Sequence, residues 1–131
     1  MKKVKKNNLT LLIDDDPVYT LLAEKLLKSV KFSNAYITFD NGKDAIEGYK
    51  NMVELGKIPD TILLDLNMPV MDGWQFLDEL IKLNLPIPSR IYIVSSTIDN
   101  RDLKKVEQYE CIKELISKPL TPEKVIYMME S

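Results

Sequence analysis

The sequence predicts an α/β fold, a five-stranded parallel sheet with helices on both faces. Short apolar runs of strand length alternate with longer stretches of helical spacing from one end of the chain to the other. The strand runs are nearly continuous in apolar residues rather than alternating, which suits strands covered on both sides. With 131 residues, no repeat, no low-complexity segment and no linker, the chain has room for one core.

Leu9–Ile13 reads as the first strand and ends in Asp14-Asp15-Asp16. Pro17 suits the first turn of a helix, with Asp16 as its N-cap. Val18, Leu22, Leu26 and Val30 recur every four residues, so this helix is expected to be amphipathic along that stripe. Ala35–Phe39, rich in aromatic and β-branched residues, is the second strand. Asp40-Asn41-Gly42 is turn chemistry, Asp44–Leu55 is helical, and Gly56 is a helix stop. Thr61–Leu64 is the third strand, closed by Asp65.

Pro69 and Asp72-Gly73 mark a loop. Trp74–Leu83 follows as a helix, with Phe76, Leu77, Leu80 and Ile81 expected to face inward. Pro86 and Pro88 break the chain before the fourth strand, Ile91–Val94. Asn100–Tyr109 is a more polar helix, and Leu115–Ile116 sits in a short fifth strand. Thr121-Pro122-Glu123 supplies an N-cap, a first-turn proline and a first-turn acid for the last helix. The expected division is a basic tail over residues 1–8 and one domain over 9–131.

Composition narrows the chemistry. The formal charge of −2 argues against a general nucleic-acid binder. Lys2, Lys3, Lys5 and Lys6 read as a solvated tail. No apolar run is long enough to span a membrane, and no secretory signal pattern opens the chain. The single Cys111 cannot form an internal disulfide, which fits a cytoplasmic location, and it reads as a small core residue. The chain contains no histidine. Histidine-dependent triads, the usual zinc sites and phosphohistidine chemistry within the chain are therefore excluded.

In an open parallel α/β sheet, ligands bind beyond the carboxyl ends of the strands. Asp14 and Asp15 follow the first strand, Asp65 the third, Ser95 closes the fourth and Lys118 follows the fifth. All five side chains fall on one rim. Each has a plainer reading alone: a helix-start acid, a loop acid, a strand-end hydroxyl, a surface lysine. Together they form a chemical set. Clustered carboxylates must hold protons or a cation, and oxygen donors of this kind suit Mg²⁺. An aspartate carboxylate can attack phosphorus to give an acyl phosphate, with Lys118 and the metal neutralising the transferred group and Ser95 donating to it.

At these residues the sequence resembles the receiver domains of two-component response regulators, of the single-domain CheY-like kind with a flavodoxin-like (βα)5 fold. Leu12-Ile13-Asp14-Asp15-Asp16-Pro17 is similar to the family's acidic start. Leu63-Leu64-Asp65-Leu66-Asn67-Met68-Pro69-Val70-Met71-Asp72-Gly73 is similar to its phosphoacceptor strand and loop. Val94-Ser95-Ser96 resembles its hydroxyl switch, and Ser117-Lys118-Pro119-Leu120 its lysine–proline signature.

The resemblance implies phosphorylation on Asp65 and Mg²⁺ bound by Asp15 directly, by Asp14 mostly through water, and by Asp65 and the Asn67 backbone carbonyl. It implies phosphoryl contacts from Ser95, Ser96 and Lys118, and a cis peptide before Pro119. The donor would be a histidine kinase or a histidine phosphotransfer protein. With the sequence ending at Ser131, no output domain is expected. The downstream target would be a protein docking on the fourth helix, fifth strand and fifth helix, with no nucleic-acid or membrane partner. No enzyme activity is expected beyond the chain's own phosphorylation and dephosphorylation. Two positions depart from the family pattern: Ser96 where a smaller residue is usual, and Leu115 where an aromatic is usual. The competing reading is a Mg²⁺-dependent phosphohydrolase with Asp65 as turnover nucleophile, but Asn67 stands where such enzymes place a second acid.

Overall fold

Strands β1 (Asn7–Ile13), β2 (Ser33–Phe39), β3 (Thr61–Leu64), β4 (Arg90–Ser95) and β5 (Ile112–Ser117) alternate with helices α1 (Pro17–Ser29), α2 (Gly42–Glu54), α3 (Gly73–Lys82), α4 (Asn100–Val106) and α5 (Pro122–Glu130). This is the arrangement in the computed structural model, which describes residues 7–131. The lysines of the expected tail lie outside the described residues. The strands form one parallel sheet in the order β2-β1-β3-β4-β5. The order reverses at β1, so the crevice beyond the ends of β1 and β3 is the topological switch point. Among the described residues no helix is long and apolar enough to cross a membrane.

Near-continuous apolar strands give the sheet two cores because successive side chains point to opposite faces. Leu11, Ile13, Ile62, Leu64, Ile91 and Ile93 meet Tyr49 of α2 and Phe76, Leu77 and Leu80 of α3 on one face. Leu12, Leu63, Tyr92 and Val94 meet Leu27 of α1 and Val125 and Met128 of α5 on the other. Each fully buried Leu, Ile or Phe contributes about 1.5–3 kcal/mol, so a one-residue slip of a central strand would forfeit several such terms.

The expected stripe on α1 holds only in its carboxyl half, where Leu26 and Val30 pack on the core. Val18 and Leu22 are 66% and 60% exposed, while Ala23 and Leu27 are buried and Tyr19 and Leu26 pack on the core. A four-residue repeat drifts by about 40° per step around a helix of 3.6 residues per turn, so the stripe starts on the solvent side and reaches the core only at Leu26 and Val30. Because the helix is apolar on several sides, periodicity alone did not select the face. Ile81, expected inward on α3, is likewise exposed. The structure also lengthens β1, β2 and β5 and shortens α4, which has no fully buried residue. Contacts from its flank hold α4 in place. Tyr109 packs 5.4 Å from Trp74 and donates to Asp78 at 2.7 Å, and Lys105 lies 5.0 Å from the Trp74 ring centre.

The amino ends of the strands are joined by a buried polar network that the sequence did not reveal. Asn7 is 2% exposed; its amide donates to the Phe32 carbonyl, and its oxygen accepts from Thr61 Oγ1 at 2.7 Å and from Arg90 at 2.6 Å.

Val70, in the loop between β3 and α3, has φ of 68° and is 96% exposed. A β-branched residue in the left-handed region is strained and here gains no burial in return. Val70→Gly is expected to raise stability by about 1 kcal/mol, the relief of strain exceeding the entropy glycine adds to the unfolded chain. Urea denaturation checks this, and a lowered midpoint would show that the loop does not carry the strain.

Candidate functional site

The sheet's hydrogen-bond ladder runs on into the rim and fixes the site residues. Asp14 N–H donates to the Phe39 carbonyl at 3.0 Å, Asp65 N–H to the Ile13 carbonyl at 2.9 Å and Lys118 N–H to the Ser95 carbonyl at 2.9 Å. The first two of these bonds tie the backbones that carry Asp14 and Asp65 to neighbouring strands, so two acids far apart in sequence meet at the switch point. Asp14, Asp15 and Asp65 each offer a carboxylate oxygen within 4.8 Å of the others. Asp14 and Asp65 are each 6% exposed, while Asp15 is open to solvent.

Lys118 closes the cluster. Its ammonium lies 2.7 Å from Asp14 Oδ2 and 3.7 Å from Asp65 Oδ1. The other Asp14 oxygen accepts from the Asp16 N–H at 2.9 Å. Burial, followed by the charge of Asp14, pushes the Asp65 carboxyl up from 3.8 to about 6, against the opposing pull of Lys118 and of the Asn67 backbone N–H. One cation facing three carboxylates leaves the site with excess negative charge. The residues fit a hard dication such as Mg²⁺, which takes one or two carboxylates and completes its shell with water and phosphate oxygens.

The other expected residues fall around this centre. Ser95 is fully buried, and its hydroxyl is engaged with its own loop, donating to the Thr97 carbonyl at 3.3 Å and accepting from the Thr97 N–H at 3.4 Å. Ser96 and Asn67 are exposed. Leu115 is half-buried beside Ile93 in the β4–β5 register, packed on the α2–α3 side of the sheet. The peptide before Pro119 is cis. Asp16 is the N-cap of α1, accepting from Val18 and Tyr19 N–H groups, so its role is local.

Comparison with known proteins decides the family. The profile of the response regulator receiver domain matches residues 10–130. The chain belongs to the response regulator receiver domain family. It is 32% identical over 116 residues to the sensor histidine kinase CheAY of Helicobacter pylori, covering 88% of this chain and 14% of that protein. It is 32% identical over 119 residues to two-component response regulator 24 of Arabidopsis thaliana, covering 91% and 79%. A two-component response regulator from Cytophaga hutchinsonii superposes with a TM-score of 0.88 at 28% identity, covering 95% of each chain. The chain thus spans a small part of the first of these relatives and most of the other two.

Three features of this receiver site escaped the sequence reading. Gly73, assigned only to a loop, is where the chain passes so close to the end of β3 that an added Cβ would lie 2.5 Å from the Asp65 carbonyl oxygen and 2.9 Å from Leu66 Cα. Both obstacles are backbone, so no side chain fits there. The Thr97 backbone is hydrogen-bonded to the Ser95 hydroxyl through both its carbonyl and its N–H. Tyr19 lies against Lys118, 4.1 Å from ring centre to ammonium.

Proposed function

We propose that this receiver accepts a phosphoryl group on Asp65 from a histidine kinase or histidine phosphotransfer protein and signals through protein binding or onward relay. The observation that supports this most is the acidic cluster at the switch point with Lys118 closing it. Asp65 attacks phosphorus, a bond forms from its carboxylate oxygen, and the donor's histidine nitrogen leaves with the electron pair. Lys118 neutralises the transferred group. Asp14, Asp15, Asp65 and the Asn67 carbonyl are the proposed metal donors, and Mg²⁺ held there would offset charge on the phosphoryl oxygens. Ser95 would leave Thr97 and donate to the phosphoryl group, with Ser96 beside it. With Leu115 in place of an aromatic, the change would pass through the Ser95–Thr97 loop to α4, which has no fully buried residue and is held by contacts at its carboxyl flank. The target would dock on α4, β5 and α5.

The experiment is a phosphotransfer profile. Purified, autophosphorylated histidine kinases of the source organism are mixed with the chain, and transfer is timed. One kinase is expected to transfer stoichiometrically and far faster than the rest. Repeated turnover of a small phosphate ester, with no retained label, would instead favour the phosphohydrolase reading.

Asp15 and Asp16 divide their labour in this proposal. Removing even an outer partner of a metal ligand commonly weakens binding by tenfold or more. Asp15→Asn is therefore expected to weaken Mg²⁺ binding by roughly tenfold or more, followed through Trp74, the only tryptophan. Asp16→Asn keeps a capping side chain and is expected to leave Mg²⁺ affinity nearly unchanged. Equal weakening by the two substitutions would overturn this assignment.

A further inference from the structure

The Tyr19 ring meets Lys118 for a reason that starts in the sequence. Asp16 caps α1 and accepts the Tyr19 N–H at 3.1 Å, which places Tyr19 in the first helical turn. Side chains in a helix lean toward its amino end, so a long side chain in the first turn reaches back over the preceding loop. That loop is Asp14-Asp15-Asp16. The ring is packed against the α1–α5 core, with its hydroxyl buried and without a hydrogen-bond partner among the described residues.

Lys118 Nζ lies 4.1 Å from the centre of this ring, inside the range at which an aromatic face attracts an ammonium. The same nitrogen is 2.7 Å from Asp14 and 3.7 Å from Asp65. An ammonium is a compact charge on a flexible four-carbon stem, able to swing among several acceptors. Here the side chain is 15% exposed, with carboxylates on one side and a π face on another.

We propose that Tyr19 is the positioning residue for Lys118: its ring face holds the ammonium beside Asp14 and Asp65, so a phosphoryl group arriving on Asp65 meets a preset cation. This rests on the reading of Asp65 as phosphoacceptor. The ring acts through Lys118 and touches no reacting atom. Without it, Lys118 still carries its charge but samples orientations away from Asp65, and part of the preorganisation is lost. The hydroxyl has no role in the pairing, so phenylalanine serves as well as tyrosine.

The test uses the full chain, in wild-type form and with Tyr19→Phe, Tyr19→Leu, Lys118→Met and the Tyr19→Leu/Lys118→Met pair. NMR follows the ε-methylene signal of Lys118, assigned by its loss in Lys118→Met. Protons over an aromatic face shift upfield. The signal is expected upfield in wild type and Tyr19→Phe, and at an ordinary lysine position in Tyr19→Leu. Labelling by a small acyl phosphate with Mg²⁺ is expected to stay within about twofold of wild type in Tyr19→Phe and to slow about tenfold in Tyr19→Leu, the scale of a partly desolvated cation–π contact. In the Lys118→Met background, Tyr19→Leu should slow it no further, because the residue through which it acts is gone.

An unshifted Lys118 signal in wild type would overturn the proposal. So would full labelling speed in Tyr19→Leu, a Tyr19→Phe variant as slow as Tyr19→Leu, or a tenfold loss that persists without Lys118. Absence of labelling in wild type would defeat the Asp65 reading instead, and the Lys118 signal would still decide whether the ring holds the ammonium.

Discussion

Asp65→Asn is expected to abolish phosphorylation by small phosphodonors and by the cognate kinase while making the metal-free protein more stable. The first effect follows from chemistry. A carboxamide oxygen is a poor nucleophile, and no other acid sits at the end of β3. The second follows from linkage. Burial and Asp14 raise the Asp65 carboxyl from 3.8 to about 6, so the folded protein binds this proton more tightly than the unfolded chain. The ionised group therefore opposes folding above pH 6. That opposition fades as pH falls through 6 toward 4, where the folded state gains stability. The size is about 2–3 kcal/mol at neutral pH. Without metal, Asp65→Asn is expected to gain about 2 kcal/mol at pH 7 and to lose most of the rise in stability between pH 6 and 4. Mg²⁺ should narrow the gap by stabilising wild type more than the variant. Urea titrations in chelator and in Mg²⁺ at several pH values check this. A metal-free variant less stable than wild type at pH 7 would contradict the electrostatic account.

Asn7→Ala is expected to cost about 3 kcal/mol and to leave phosphorylation intact. The substitution removes the side-chain partner of the Phe32 carbonyl, the acceptor of the Thr61 hydroxyl and the shorter acceptor of Arg90 Nη2, leaving Arg90 and Thr61 only their mutual 3.4 Å contact. Thr61 is fully buried, and Arg90 Nη1 is already without a partner among the described residues. The network sits at the amino ends of β1, β3 and β4, whereas the acids lie beyond their carboxyl ends. Stability and chemistry should therefore separate. Unchanged urea stability would mean that Asn7 is not tied into the sheet, and slowed labelling would mean that the two rims are coupled.

These two residues mark what the sequence could and could not disclose. Asp65 was legible because it closes a wholly apolar strand, and strand ends in a parallel sheet converge on one rim. Asp14, Asp15, Ser95 and Lys118 were legible for the same reason, and their order matched a known family. Asn7 was not legible. It follows a run of lysines and looks like the end of a solvated tail, and only pairing with Thr61 and Arg90, far along the chain, makes it structural. The buried face of α1 was hidden because Val18, Leu21 and Leu22 offer a competing apolar surface, all three more than half exposed. Tyr19 was passed over with it, since a tyrosine in an apolar helix reads as core until Lys118 is found against its ring. Gly73 was visible as turn chemistry, but its close approach to the Asp65 backbone is a tertiary fact.

The central claim is that the phosphoryl group sits on Asp65. Wild-type protein is phosphorylated with a small acyl phosphate in Mg²⁺ and reduced with borohydride, whose hydride converts an acyl phosphate to the alcohol as phosphate leaves. Peptide sequencing then locates the homoserine. The account predicts one phosphoryl increment in intact mass before reduction and homoserine at position 65 alone; homoserine at position 14, 15 or 16, or no increment at all, would contradict it.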